Sequence, residues 1–393
     1  MHFKNIFDWL THKQAAVISI ACALGMTLVK GLFPQFQEGW VHWLFLLPWG
    51  WVMLVSGLAT FNHLVHFKWA DIPFILNHLG VFVAVVSATL GSAYVQNKSL
   101  TVFYGQPAGV EAGWSIGLNE FTVDYYPDGA PKRFASDISI LSADGGEILR
   151  GTVEVNKPFR ANGWKIYQYG YDSSMGNKSP YSVFLLVKDP WLPAVYTGIF
   201  LMLAGAVAML FTRKFRNKKK KLNFLVPAGL LLATAAFVYF FTPVFRSKSL
   251  VPSLQSPWFV PHVVVYMFAY ALLSAATIMA LYLLIARKAT DNQLNITDNL
   301  VYAGLAFLTI GMLFGALWAK EAWGHYWTWD PKETWAAITW LCYLLYIHSR
   351  VHRPEAWKKA SWILLLAFLC LQMCWWGINY LPSAQGLSIH MYN

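Results

Sequence analysis

The sequence has 393 residues, of which 57% are apolar and only 12% are charged. Soluble domains carry about 25% charged residues, and a soluble chain of this length would form two or three domains. The apolar residues instead come in long runs, and Gly and Pro are too few for a disordered or fibrous protein. The composition excludes a soluble globular protein and predicts an α-helical polytopic membrane protein.

The net charge of +11 is concentrated rather than spread. Seven Lys and Arg residues lie within 213–221, directly after an apolar run. Such a cluster is typical of the cytoplasmic end of a membrane span. We therefore favour a lipid bilayer as the partner and expect no nucleic acid.

Nine apolar runs approach the roughly 20 residues that a membrane-spanning helix requires. They lie at 15–33, 42–60, 73–95, 191–211, 223–241, 260–286, 300–317, 335–349 and 361–379. If the N-terminus is inside, the inner segments carry sixteen Lys and Arg residues and the short outer segments carry four. The positive-inside rule then predicts a cytoplasmic N-terminus, a retained first span and an external C-terminus.

The region 96–190 is more polar and shows the alternation of β-strands. Asp137 to Ser142 leads through Asp144-Gly145-Gly146 into Ile148 to Val155, which predicts a hairpin. This region contains no His and no Cys, so we expect a small external β-rich domain that serves as a scaffold or docks a partner. The predicted division of the chain is 1–95 (three spans), 96–190 (β-rich domain), 191–222 (fourth span and basic loop) and 223–393 (second membrane domain).

Tryptophans are concentrated in the predicted external segment 318–334. Trp323, Trp327 and Trp329 fall within seven residues, and we expect them to cover a large, flat, apolar ligand. Trp323 and Trp327 would share a face if this stretch were helical. Asp330, followed by Pro331 and Glu333, fits the N-cap, N1 and N3 positions of the next helix.

Histidines occur in pairs at two membrane depths. His262 and His390 lie at the predicted outer side, and His78 and His348 lie near the inner side. Ionisable residues in or beside spans are usually functional, and two His residues can ligate a haem iron. The four cysteines fall in apolar runs without a CxxC motif, so we expect them to be buried and to form neither disulfides nor zinc sites. We assign no role to the other histidines, His325 included.

The segment WGHYWTWDPKETWAAITW, from Trp323 to Trp340, resembles the WWD signature of haem-handling proteins in cytochrome c maturation. Its continuation, LCYLLYIHSR, places His348 where the CcsA or ResC family of System II has a transmembrane histidine. The first half resembles the partner subunit CcsB or ResB in HLG at 78–80, VNKPFRANGWKIYQYGYD at 155–172 and VKDPWLPAVYTGI at 187–199. The chain as a whole resembles a compact CcsBA-type fusion.

The resemblance implies two haem sites. The residues that would ligate iron are His262 and His390 at the external site and, transiently, His78 and His348 at the inner site. Those that would line the external site are Trp323, Trp327, Trp329 and Asp330. The tail reads GLSIHMYN, so His390 is assigned from its H-x-Y match.

The resemblance also implies a cytochrome c haem lyase of the holocytochrome-c synthase type in the bacterial inner membrane. It would carry haem b outward and attach it by thioether bonds to the CxxCH motif of an exported apocytochrome c. The substrate cysteines are the nucleophiles, so no catalytic residue of the chain is assigned, and a separate thioredoxin-like thiol reductant is expected. One alternative is a haem exporter or delivery protein that forms no covalent bond. Another is a scaffold whose tryptophans only anchor it.

Overall fold

The computed structural model describes residues 7–33, 40–111, 113–211 and 222–381. The basic cluster within 213–221 and His390 lie outside these ranges. Nine long helices occur in the described chain: α1 (Lys13–Leu32), α2 (Trp40–Val65), α3 (Ile72–Gly91), α4 (Leu192–Leu210), α5 (Leu222–Arg246), α6 (Phe259–Ala286), α7 (Asp291–Trp323), α8 (Pro331–His352) and α9 (Trp357–Trp375).

Eight of these helices are long and apolar enough to cross a membrane. The exception is α8, which carries Lys332 and Glu333 in its first turn and Arg350 in its last. It lies inside the bundle against α1 and α9, with 14 of its 22 residues buried. Protein rather than lipid therefore surrounds its polar ends, and the prediction of a polytopic helical membrane protein is confirmed.

The region between α3 and α4 forms two four-stranded antiparallel sheets. The strands are β1 (Gln96–Phe103), β2 (Ala108–Glu111), β3 (Trp114–Tyr125), β4 (Pro131–Ser142), β5 (Glu147–Glu154), β6 (Phe159–Ala161), β7 (Trp164–Tyr171) and β8 (Tyr181–Lys188). Their orders are β1-β8-β7-β6 and β2-β3-β4-β5. Alternate residues of both sheets, such as Ile138 and Ile166, fill one apolar core, as expected for sheets packed face to face.

The predicted hairpin is confirmed as β4 and β5, which pair in an antiparallel register. Gly145 lies in its turn with φ of +85°, a conformation that favours glycine. The alternation of apolar and polar residues also predicts strands at Glu120 to Tyr126, 164–169 and 181–187. The last two fall within β7 and β8, and the first overlaps β3, which ends at Tyr125. The strands β1, β2 and β6 were not predicted.

The β-rich domain is attached through a closely packed helix pair, α3 and α4. A Cβ atom added to Gly80 would lie 2.9 Å from the carbonyl oxygen of Gly198, so the two backbones nearly touch. Small residues permit this approach between membrane helices. The chain therefore enters and leaves the β-rich domain through two helices, α3 and α4, that are closely packed against each other.

One apolar core joins the two membrane parts of the chain. It includes Leu24 of α1 and Val195 of α4 from the first part, together with Leu273 of α6 and Phe307 of α7 from the second. At the end of the bundle away from the β-rich domain, Asp298 of α7 is hydrogen-bonded to Arg350 and Tyr346 of α8. The two membrane parts therefore pack as one body.

Candidate functional site

The larger cavity, here called the first cavity, has a volume of about 770 Å³. Residues from α1, α2, α3, α4, α7 and α8 line it, and among them are His78 and His348. His78 lies near the start of α3, and the chain reaches β1 only from the other end of that helix. The first cavity is therefore at the end of the bundle away from the β-rich domain.

His78 and His348 lie close together in the lining of the first cavity, with ring centroids 6.2 Å apart and an interplanar angle of 67°. The Nδ1 atom of His78 lies 2.9 Å from the carbonyl oxygen of Phe74, and that of His348 lies 2.8 Å from the carbonyl oxygen of Leu344. A carbonyl oxygen only accepts, so both Nδ1 atoms carry the proton. The lone pair is then on Nε2 in both rings, the state in which imidazole coordinates a metal.

The smaller cavity, here called the second cavity, has a volume of about 300 Å³ in the described chain. It lies on the other side of α7 and α8 from the first cavity, towards the β-rich domain. The residues that line it include His262, Tyr266, Tyr270, Trp327, Lys332 and Cys374. His390, its predicted partner for His262, lies outside the described residues.

His262 is held by its own neighbours on α6 and α7. Its Nδ1 atom donates to the carbonyl oxygen of Gly311 at 2.8 Å, which again places the lone pair on Nε2. The rings of Tyr266 and Trp318 flank it at 4.7 and 5.8 Å. A Cβ atom on Gly315 would lie 2.8 Å from the imidazole, so only glycine leaves room for the ring at this position.

The tryptophan-rich segment is a loop between two helices. α7 ends at Trp323 because Gly324 adopts a left-handed conformation with φ of +85°. Trp323 and Trp327 therefore do not share a helix face, and Trp323 packs against Trp318 instead. The predicted cap of α8 is confirmed: the side chain of Asp330 accepts a hydrogen bond from the backbone N–H of Glu333, and the side chain of Glu333 accepts one from the backbone N–H of Asp330.

The remaining tryptophans of this loop point to different surroundings. Trp327 lines the second cavity, and its indole N–H is buried without a hydrogen-bond partner among the described residues. Trp329 has a left-handed backbone (φ of +59°) and packs against Phe45 and Trp49, 4.9 and 5.6 Å away. Trp49 lines the first cavity, so Trp329 links this loop to the wall of the other site.

The β-rich domain contacts the same loop. A Cβ atom on Gly324 would lie 3.2 Å from Tyr167 of β7 and from Val187 of β8. Beside it, Lys320 is paired with Asp189 at 3.4 Å, with side chains 3% and 4% exposed. Lys320 also lies 5.4 Å from the ring of Tyr326, and burial raises the pKa of Tyr326 to about 12. Tyr326, which lines the second cavity, is thus a neutral phenol at physiological pH.

Several residues of both sites were not predicted from the sequence. Tyr266 and Tyr270 follow His262 at intervals of one helical turn, a signal that the sequence offers. All four cysteines were expected to be buried, which is wrong for Cys22, because it is exposed, whereas Cys342 and Cys370 are buried. Cys374 is partly buried and lines the second cavity. In the first cavity, Trp340 donates to the hydroxyl of Thr309 at 3.0 Å, a contact between α8 and α7 that no local pattern indicates.

Two families match consecutive parts of the chain. Residues 191–384 match the family described as Cytochrome C assembly protein, and residues 68–180 match the ResB-like family. The first match contains α4 to α9, and the second contains α3 and most of the β-rich domain. Both cavities draw residues from the first match, and His78 comes from the second.

Curated relatives are similar to the second part of the chain. Three of them are named cytochrome c biogenesis protein CcsA. The one from Pyropia yezoensis is 31% identical, and the match covers 51% of this chain and 78% of the relative. The one from Trieres chinensis is 28% identical, and the match covers 53% of this chain and 82% of the relative. The protein of that name from Chlamydomonas reinhardtii is 39% identical over 183 residues, 43% of this chain and 50% of the relative. The chain thus spans about half the length of that last relative.

The fold and the family matches together define a multi-pass membrane protein with a β-rich domain. Its helical bundle contains two cavities that are each lined by histidine. The chain belongs to the System II, CcsB/CcsA-type family of cytochrome c biogenesis proteins.

Proposed function

We propose that this protein is a cytochrome c haem synthase, which receives haem b in the first cavity and attaches it to apocytochrome c at the second. The observation that carries the proposal is the pair of His78 and His348. Two imidazoles that bind one iron from opposite sides have ring centres about 6.3 Å apart, given metal–nitrogen bonds of about 2.0 Å. The observed separation is 6.2 Å, with the lone pair of both rings on Nε2.

The first cavity fits haem in volume and chemistry. Pockets for ligands of this size have volumes of about 300–1,000 Å³ and are mostly apolar. The cavity of about 770 Å³ is lined mainly by apolar and aromatic side chains, with Trp49 and Trp340 among them. Haem here is the cargo of the protein and not a resident cofactor.

The second cavity supplies the features expected of an attachment site. His262 would ligate the iron, with His390 of the C-terminal tail as the second ligand. The buried N–H of Trp327 lacks a partner in the described chain, and a propionate oxygen of haem would satisfy it. We assign an indirect role to Trp323, Trp329 and Asp330. The two tryptophans pack at the ends of the loop that carries Trp327, and Asp330 caps the helix that follows this loop.

The bond-forming step needs no catalytic nucleophile from this chain. Each cysteine thiol of a CxxCH motif adds across a haem vinyl group: sulfur bonds to one vinyl carbon, and the thiol proton ends on the other. Nothing leaves, and the haem iron stays reduced. The protein contributes position, because fixing two reactants lowers a barrier by about 7–11 kcal/mol. The thiols must arrive reduced, which is the task of a separate thioredoxin-like reductant.

The proposal includes a location and a division of the chain. We propose a bacterial inner membrane with the N-terminus in the cytoplasm and the β-rich domain outside, supported by the bias of basic residues between loops. The division at 96–190 is supported by β1, which begins at Gln96, and by β8, which ends at Lys188. The β-rich domain would help to position apocytochrome c, since it contacts the loop of the second cavity.

The test is covalent haem attachment in a bacterial host that lacks its own maturation system. The full chain is expressed with an exported CxxCH apocytochrome, and haem that survives denaturing electrophoresis is measured. We expect a haem-stained cytochrome that is lost in His262→Ala and retained in His66→Ala, an exposed histidine outside both cavities. Haem bound by the membrane protein without any stained cytochrome, even with added thiol reductant, would instead identify a delivery protein.

A further inference from the structure

A third histidine, His63 of α2, lines the first cavity beside the pair already described. The ring of Phe74 lies between His63 and His78, with centroids 4.1 Å from the first and 3.8 Å from the second. The Phe74 and His78 rings are stacked, at an interplanar angle of 21°. A single aromatic ring therefore separates the two imidazoles, a shorter span than the width of a porphyrin.

His63 also has a carboxylate to orient it. Its Nδ1 atom lies 3.3 Å from Oδ2 of Asp71, which belongs to the turn before α3. A carboxylate beside Nδ1 favours the tautomer with its lone pair on Nε2, as in many metal sites. The side chain of His63 is 38% exposed and that of Asp71 is 21% exposed, so a ligand can reach them from outside.

The neighbouring histidines lack this combination. His66 is exposed, with Nδ1 3.1 Å from the carbonyl oxygen of Asn62, and does not line the cavity. His12 lines the cavity, but its Nδ1 accepts from the N–H of Gln14 as the cap of α1. Only His63 of these three has a carboxylate at Nδ1 and an aromatic contact leading to His78.

We propose that His63, oriented by Asp71, is a loading ligand that binds haem iron at the mouth of the first cavity before His78 and His348 receive it. This inference rests on the proposed function of that cavity. The transfer is a ligand exchange: the bond from iron to Nε2 of His63 breaks as the bond to Nε2 of His78 forms, with no change in oxidation state. Phe74 separates the two positions and must turn aside during the exchange.

The experiment mixes ferric haem with the haem-free full-length protein in detergent and follows its absorption by stopped flow. The wild-type protein should give a fast phase and then a slower phase that ends in the low-spin spectrum of two histidine ligands. His63→Ala should lose the fast phase and reach the same final spectrum at least tenfold more slowly. Asp71→Asn should slow the fast phase several-fold, and His66→Ala, the matched control, should behave as wild type.

Two further variants separate loading from a structural role. Imidazole added to His63→Gly should restore the fast phase, which a merely misfolded protein would not do. In the double variant His78→Ala, His348→Ala, the fast phase should remain alone and disappear when His63→Ala is added.

The outcomes distinguish this inference from the proposed function. A His63→Ala protein with both phases unchanged would overturn the loading role, even if the low-spin spectrum depended on His78. A low-spin spectrum that persists in the double variant would contradict the proposed role of the inner pair. It would then overturn the transfer to His78 as well.

Discussion

The two cavities lie on opposite sides of one wall, yet they are built differently. Helices form most of the first cavity, and its histidines His78 and His348 are each fixed by a carbonyl oxygen one turn earlier in the same helix. The second cavity is closed by the loop 324–330, and its histidine is fixed by a different helix. Under the proposed function, a site on helices suits transient holding of haem, whereas a loop beside the β-rich domain would give a protein substrate access to it.

The wall between the cavities consists of α7 and α8. Neighbouring residues on each helix line different cavities. On α8, Trp340 lines the first cavity and Thr339 lines the second; on α7, Thr309 lines the first and Leu308 lines the second. The buried hydrogen bond from Trp340 to Thr309 ties the two helices together. Under the proposed function, haem that passed directly from one cavity to the other would have to separate these helices at this point.

The largest effect is expected from His348→Ala. Removing a supporting residue of a metal ligand lowers metal affinity by about 10–100-fold, so removing the ligand should cost at least as much. Haem recovered with the protein and haem-stained cytochrome should both fall at least about tenfold. His262→Ala should abolish the cytochrome band but keep the low-spin haem of the first cavity. Full cytochrome yield from His348→Ala would show that the second cavity is filled without the first.

The comparison also shows what the sequence could predict. Eight of the nine predicted spans, the hairpin at Gly145 and the Asp330 cap depend on patterns within about twenty residues, and the structure confirms them. The ninth predicted span, 335–349, falls in α8, which is not among the helices apolar enough to cross a membrane. His78 and His348 were paired from their similar depth along the chain, and the structure brings them together. Most other side chains that meet in each cavity were not predictable, because helices distant in sequence bring them together. Trp329 illustrates this: its left-handed backbone turns it towards Phe45 and Trp49, which belong to a helix far earlier in the chain.

At the end of the bundle next to the β-rich domain, we expect the buried ion pair of Lys320 and Asp189 to contribute to the stability of the fold. Lys320→Met leaves the carboxylate of Asp189 buried and unpaired, at an expected cost of about 3–5 kcal/mol in the free energy of unfolding. Thermal unfolding in detergent, followed by tryptophan fluorescence, measures it. Replacing Asp189 with Leu in the same protein should recover most of the loss. Arg150→Ala, which breaks an exposed ion pair with Asp137, should change little.

Gly315→Ala tests whether the second cavity can be damaged alone. The new Cβ atom would lie 2.8 Å from the imidazole of His262, and overpacking of this kind costs about 1–3 kcal/mol. We expect the ring to shift from Gly311 and cytochrome yield to fall about tenfold, the equivalent of 1.4 kcal/mol, with unchanged haem in the first cavity. Gly229→Ala is the control, since its Cβ atom would meet nothing within 4 Å. Equal yields from both variants would show that His262 tolerates displacement.

The smallest effect concerns Tyr326, where burial raises the pKa to about 12 from an ordinary value of 10. The folded protein keeps the phenol proton above pH 10, whereas the unfolded chain loses it. This contribution to stability is therefore complete below pH 10 and is lost as the pH rises to about 12. The melting temperature of wild type should fall more steeply over that window than that of Tyr326→Phe, and Tyr169→Phe, at an exposed tyrosine, should follow wild type. Identical slopes for wild type and Tyr326→Phe would mean that the loop already exposes Tyr326 and that the second cavity is open to water at this position.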